Sequence, residues 1–257
     1  MPWFEMVTIL LAGLGAGTIN AIVGSGSMIT FPTLLFFGYP PLVANMSNSI
    51  GVLPGGVSAA WGYRRELRGQ GALLRRLVPL SVAGGIVGAL LLLVLPSSVF
   101  ATVVPVLIAF GLALVVLGPR LQRAAATRHP AGGATPRHSR VLLFVGILLT
   151  GVYGGYFGAA QGVILMGLMS MLLSQSLQIL NGIKNVLATA ANLLAGVVFV
   201  SLRWDQVDWR AALLIGVGSF LGGVLGSSLG RRLHPVALRA VIVVVGVAAI
   251  LRLTVWA

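Results

Sequence analysis

Lys184 is the only lysine in the chain; the other sixteen basic residues are arginines. It lies inside the apolar segment Ile183 to Val200, within Asn181-Gly-Ile-Lys184-Asn185, whereas the arginines gather in short polar stretches between hydrophobic runs. A charge inside a membrane-length segment costs roughly 2.5–3.5 kcal/mol on insertion scales, so it implies a partner or a function. Asn181, Lys184 and Asn185 sit at i, i+3 and i+4, on one helical face that Asn192 extends. Asn45, Asn48 and Ser49 repeat that polar face earlier in the chain without the cation. Amide donors, a hydroxyl and one amine suit a small oxyanion. Two plainer readings stand beside this one. Lys184, near a helix start, can snorkel to the headgroups, and the asparagines can serve as hydrogen-bond glue between helices.

A second set of candidate donors is backbone. Gly24-Ser25-Gly26-Ser27 and Gly158-Ala159-Ala160-Gln161 each interrupt an apolar run and precede a short apolar helix. Free N–H groups at a helix start, with the positive end of its dipole, favour an anion. Broken helices whose starts meet near the bilayer midplane form binding sites in transporters. The plain alternative is a turn joining two helices. Asn20, Tyr153 and Tyr156, with Gly13, Gly15 and Gly17, mix close packing with possible pore lining, and spacing alone does not separate the two.

These residues need elements to hold them, and composition says which kind. The 257 residues are 58% hydrophobic and 8% charged, with mean hydropathy +1.03. A soluble domain of this length would lack polar material to cover its surface. Apolar runs of spanning length separate the arginine clusters, so an all-α polytopic membrane protein is expected, and the short alternating segments of a barrel are absent. The net charge of +13 falls in juxtamembrane loops. There it sets orientation and meets anionic headgroups, so a nucleic-acid partner is not expected. The chain has no cysteine, which rules out disulfides and thiol chemistry. The start Met-Pro-Trp-Phe-Glu lacks a positive signal-peptide region, so the first segment is expected to be a retained span. The only acids, Glu5, Glu66, Asp205 and Asp208, fall at ends or loops. A cation transporter or proton relay usually keeps a carboxylate at membrane depth. His129, His138 and His234 lie in the linker or a loop with no metal or catalytic spacing, so no cofactor, metal site or enzyme is expected.

The chain also repeats. Gly17 and Gly24 match Gly151 and Gly158, both 134 residues on; Asn45-x-x-Asn48-Ser49 matches Asn181-x-x-Lys184-Asn185 at 136; Gly84-Gly85-x-x-Gly88 matches Gly222-Gly223-x-x-Gly226 at 138. Three matches in one order argue for duplication. The expected division is an N-terminal transmembrane repeat, 1–117, a basic cytoplasmic linker, 118–140, read as disordered, and a C-terminal transmembrane repeat, 141–257. Each half is predicted to hold four long spans (4–23, 41–63, 72–95, 99–117; 141–157, 181–202, 209–230, 236–256) and one short broken or re-entrant helix (27–37; 161–174). Pro54-Gly55-Gly56 predicts a kink. Gly218, Gly222, Gly226 and Gly230 predict close helix packing. Placing Arg64 to Arg76, the linker and Arg231 to Arg239 all in the cytoplasm needs an odd number of crossings per half, which inverts the repeats. If the short segments do not cross, the halves are parallel and Arg231 and Arg232 lie outside. The positive-inside rule favours inversion.

On these residues the chain resembles the TauE/SafE family, also called the sulfite exporter family, over residues 8–254. The resemblance is carried by Ala12-Gly13 through Gly24-x-Gly26 and Pro32, Ala44 to Ser49, Gly151-x-Tyr153-Gly154-Gly155-Tyr156-Phe157-Gly158, Asn181-x-x-Lys184-Asn185 and the glycine boxes. Family-like proteins usually continue the first break with Gly-Gly, where this chain has Gly26 followed by Ser27. The resemblance implies secondary transport of small anions such as sulfite, thiosulfate, sulfoacetate or related organosulfonates, across a bacterial inner membrane. With the residue reading it implies alternating access around an oxyanion held by the two helix starts, the asparagines and Lys184. The expected partners are that anion, the lipid bilayer and a second copy of the chain in a homodimer. Without a membrane carboxylate, a coupling proton could travel on the substrate or not be used. A passive anion channel, a carrier of a non-sulfur carboxylate, and a non-transporting scaffold are the alternatives.

Overall fold

A computed structural model describes residues 1–126, 137–229 and 235–255, and no strand occurs among them. The elements are α1 (Trp3–Ile22), α2 (Ser27–Phe36), α3 (Pro41–Gly51), α4 (Leu53–Gly62), α5 (Gly71–Val94), α6 (Ser97–Ala126), α7 (Arg137–Tyr156), α8 (Gln161–Leu172), α9 (Leu177–Arg203), α10 (Trp209–Leu229) and α11 (Pro235–Val255). Six of them are long and apolar enough to cross a membrane. Their outer faces carry exposed Leu, Val and Phe, as lipid contact requires. The chain is a multi-pass membrane protein.

Two expectations are modified. The span predicted over 41–63 is divided at Val52 into α3 and α4, because Pro54 has no N–H to continue the ladder. Ser219 of α10 closes the gap: its hydroxyl donates to Gly51 O (2.9 Å) and accepts from Gly55 N–H (3.2 Å). Helix also occupies both ends of the stretch read as linker, since α6 runs to Ala126 and α7 begins at Arg137. Residues 127–136, with Arg128 and His129, lie outside the described residues, as do Gly230, Arg231, Arg232 and His234.

Glycines decide which helices touch. A methyl group on Gly88 would fall 2.0 Å from Val152 O, and one on Gly84 2.2 Å from Leu148 O, so α5 and α7 run backbone to backbone. In the other half, Gly222 faces Leu14 O at 2.1 Å and Gly218 faces Leu10 O at 2.2 Å, joining α10 to α1 the same way. Each glycine box therefore packs against the first helix of the opposite half. The side chains between them repeat too. Ser81 donates to Leu187 O of α9 (3.0 Å) as its counterpart Ser219 donates to Gly51 O.

The two ends of the bundle are chemically distinct. Tyr39, between α2 and α3, donates to Glu5 at the start of α1 (3.1 Å), and the Asp208 N–H donates to Ser47 Oγ (2.8 Å). Burial first, then the charge of Asp208 and the bond to Glu5, push the Tyr39 phenol up, so it remains a neutral donor. At the opposite end, Tyr63 and Leu67 pack on Gly182 of α9, beside the turn that exposes Arg64, Arg65 and Arg68 and the first turns of α5 that expose Arg75 and Arg76.

Candidate functional site

The site begins where two helices stop. α1 ends at Ile22, and Gly24 takes φ +88°, a left-handed conformation that glycine adopts without a Cβ penalty. α7 ends at Tyr156, with Gly158 at φ +75° and Ala160 at +64°. The breaks touch: Gly162 N–H donates to Gly24 O at 3.0 Å, and a methyl group on Gly24 would lie 2.6 Å from Gly162 Cα. Gly162 was not singled out in the sequence, although its place one residue into α8 marks it in hindsight. Phe157 packs edge-on against Phe31 and Phe100, fixing the second break against α2 and α6.

Each break is held by a helix of the other half. Asn181 donates to Ile22 O (3.3 Å) and Tyr63 OH (3.3 Å); Lys184 Nζ donates to Asn20 O (3.0 Å) and Ala21 O (3.4 Å); Asn185 donates to Ala21 O (3.4 Å). The trio thus occupies the last carbonyls of α1, the negative end of its dipole. Lys184 is 1% exposed, so it does not snorkel. An ammonium has three N–H donors, and two are accounted for. Asn45 does the same at the other break, donating to Tyr156 O (3.0 Å). Asn48 accepts from the Thr30 hydroxyl of α2, and Ser49 donates back to Asn45 O (2.8 Å). Asn192 lies beside Gly158, so its stripe on α9 reaches from one break to the other.

Several donors at the breaks stay open. Ser25, Gly26 and Ser27 have N–H groups with no acceptor among the described residues, as do Ala159 and Ala160. Gln161, Gly162 and Val163 use theirs on Gly158 O, Gly24 O and Ala160 O. Ser25 Oγ and both amide atoms of Gln161 are buried without a partner, as are Asn45 Oδ1 and Asn181 Oδ1. Tyr153 closes on its own loop, donating to Ala159 O (2.6 Å). Asn20 is half-buried with its Cβ over Gly26. An orphaned buried polar group costs about 1–3 kcal/mol, so each of these atoms calls for a partner. A cavity of about 640 Å³ between the α3–α4 break and α10, lined by Ile50, Pro54, Trp209, Leu213 and Phe220, is almost wholly apolar and lies elsewhere. No group of three or more His, Asp or Glu fit to hold a metal occurs among the described residues.

Against known proteins, residues 9–253 match the family model described as sulfite exporter TauE/SafE. Similar relatives are "Probable membrane transporter protein ORF9" of a Sinorhizobium species, 31% identical with 97% of this chain and 93% of that protein covered, and "Probable membrane transporter protein" of Haemophilus influenzae, 28% identical with 93% and 91% covered. "Probable membrane transporter protein YfcA" of Escherichia coli K12 is 26% identical, with 90% of this chain and 82% of that protein covered.

Proposed function

The chain belongs to the sulfite exporter TauE/SafE family, and from that premise we propose that it is a secondary transporter of small anions, sulfur oxyanions or organosulfonates, working by alternating access in a bacterial inner membrane. The observation that carries this reading is the contact of the two breaks at Gly24 and Gly162, flanked by buried donors that have no protein acceptor. Backbone N–H groups of Ser25 to Ser27 and of Ala159 and Ala160, the Ser25 hydroxyl, the Gln161 amide and the Asn20 side chain would surround the oxygens. Lys184 cancels the negative end of α1, so that the positive start of α2 dominates the field at the break. The close contact of the breaks supports a carrier that opens to one side at a time over an open pore.

The halves would rock as inverted repeats around this point. Each would hold the other's broken helix, Asn45 on α7 and Asn181, Lys184 and Asn185 on α1. Purified protein in liposomes tests the proposal. Sulfite or methanesulfonate uptake should saturate and be accelerated by the same anion on the opposite side. It should fall at least tenfold in the double variant Ser25→Ala, Gln161→Leu, provided that variant elutes as folded protein. Large unitary currents without trans-acceleration would establish a channel instead.

A further inference from the structure

The open groups at the breaks are not all donors, and the charge available to them is small. Gln161 is 2% exposed and presents an amide N–H₂ and an amide carbonyl, both buried and both without a partner. Whichever way the amide is turned, one atom needs an acceptor and the other needs a donor. An oxyanion with only bare oxygens satisfies half of it. Ser25, next to Gly24 in the first break, also has its hydroxyl buried without a partner among the described residues and can accept as well as donate. Among the described residues Lys184 is the one side chain near the breaks able to carry positive charge, and two of its N–H bonds already serve the carbonyls of α1. Arg64, Arg65, Arg68, Arg75 and Arg76, at and just after the turn between α4 and α5, are exposed, as are Arg120, Arg140, Arg203 and Arg210. Two negative charges at the breaks would leave one without a counter-charge in a desolvated core, which is a heavy cost.

Resting on the anion-carrier reading, we propose that the ligand is a singly charged oxyanion that brings its own hydrogen-bond donor, the protonated form of an acid such as hydrogensulfite. The Gln161 amide donates to a bare oxygen and accepts from the protonated one, and dianions such as sulfate are turned away by charge. The proton that a carrier needs for coupling then travels bonded to the substrate. This accounts for a core whose described residues include no carboxylate, since Glu5, Glu66, Asp205 and Asp208 all belong to the ends of the bundle. Among the described residues the titratable groups around the breaks are Lys184 itself on α9, Tyr63 at the end of α4 acting through Asn181, and Tyr153 and Tyr156 on α7.

The test is a binding titration of the intact protein in detergent with three sodium salts at constant ionic strength: sulfite, methanesulfonate and sulfate. Sulfite is titrated at pH values spanning its second ionisation. Methanesulfonate is singly charged throughout and has no acidic proton, so it reports any change in Lys184 separately. The expected result is that apparent affinity for total sulfite falls about tenfold per pH unit above that ionisation. Methanesulfonate should bind more weakly and nearly independently of pH, and sulfate should not compete. In Gln161→Leu, the advantage of sulfite at low pH over methanesulfonate should shrink at least tenfold. Sulfate competing as well as sulfite would overturn the proposal, and so would sulfite and methanesulfonate weakening in parallel, which would place the proton on the protein. Both outcomes would leave the anion site standing. Failure of every anion to bind a folded protein would remove the site itself, and this inference with it.

Discussion

At the scale of residues, the polar trio on α9 performs two tasks that a single substitution conflates. Lys184, Asn181 and Asn185 hold the last carbonyls of α1, and Lys184 is the member of the trio that can carry a charge. Lys184→Gln keeps a donor near Asn20 O and Ala21 O while removing the charge. We expect it to unfold within a few degrees of the wild type and to lose at least tenfold in anion uptake. Unchanged uptake in Lys184→Gln would reduce the side chain to a helix cap. Lys184→Ala leaves Asn20 O without a donor and Ala21 O with Asn185 alone, and should cost about 1–3 kcal/mol, offset by the relief of a buried polar head. Asn45→Leu isolates the capping task at the other break: Tyr156 O loses its donor, and stability should fall by about 1–3 kcal/mol in thermal unfolding. The sequence made this polar face legible through the i, i+3, i+4 spacing and the lone lysine. It could not show what the face touches, because the carbonyls of Asn20, Ala21 and Ile22 are invisible to any side-chain pattern. That α1 stops there was legible; that α9 reaches across to hold its end was not.

At the scale of elements, the glycine boxes behave as packing devices whose partners are the broken helices. Gly88→Ala would put a methyl group 2.0 Å from Val152 O, and Gly222→Ala one 2.1 Å from Leu14 O, in both cases against backbone that cannot step aside. Overpacking of this kind costs typically about 1–3 kcal/mol, while alanine recovers at most about 1 kcal/mol of helix propensity. Both variants should therefore show lower thermal stability, and detergent-solubilised Gly88→Ala should lose protein to aggregation. Gly167→Ala on α8 is the control. Nothing lies within 4 Å of its added methyl, so stability should hold or rise by up to about 1 kcal/mol. A wild-type melting curve for Gly88→Ala would refute the close α5–α7 approach. Helix positions were readable from hydropathy because ten apolar runs are separated by glycine, proline or arginine. The partners of the boxes were not, since a small-residue stripe says only that a backbone comes near. The serines that precede each box by three residues, Ser81 and Ser219, also went unread, because a lone serine in an apolar run carries no signal until its acceptor in the other half is seen.

At the scale of the whole molecule, the arrangement of ends makes a topological prediction that a chain without cysteine can report cleanly. Tyr39 touches Glu5, so the chain after α2 has come back to the end where α1 began. Gly182, near the start of α9, packs on Tyr63 and Leu67, so the chain after α8 stands at the other end, with the exposed arginines. Arginine-rich turns remain in the cytoplasm because translocating them is unfavourable. Exposed positions Arg68 and Gln175 should therefore lie inside, and exposed Pro40 and Asp205 outside. Single substitutions Arg68→Cys, Gln175→Cys, Pro40→Cys and Asp205→Cys, treated with a membrane-impermeant maleimide on intact cells and then on inverted vesicles, read this directly. Pro40 and Asp205 should label in cells, Arg68 and Gln175 only in vesicles. The pair Pro40 and Gln175 carries the decisive information, because each follows the short helix of its own half. Labelling from opposite sides means the two halves run in opposite senses, so that their broken helices approach one another from opposite faces and meet at Gly24 and Gly162. Labelling from the same side would make the halves parallel, and the two-sided access that an alternating carrier requires would have to come from some other pair of elements.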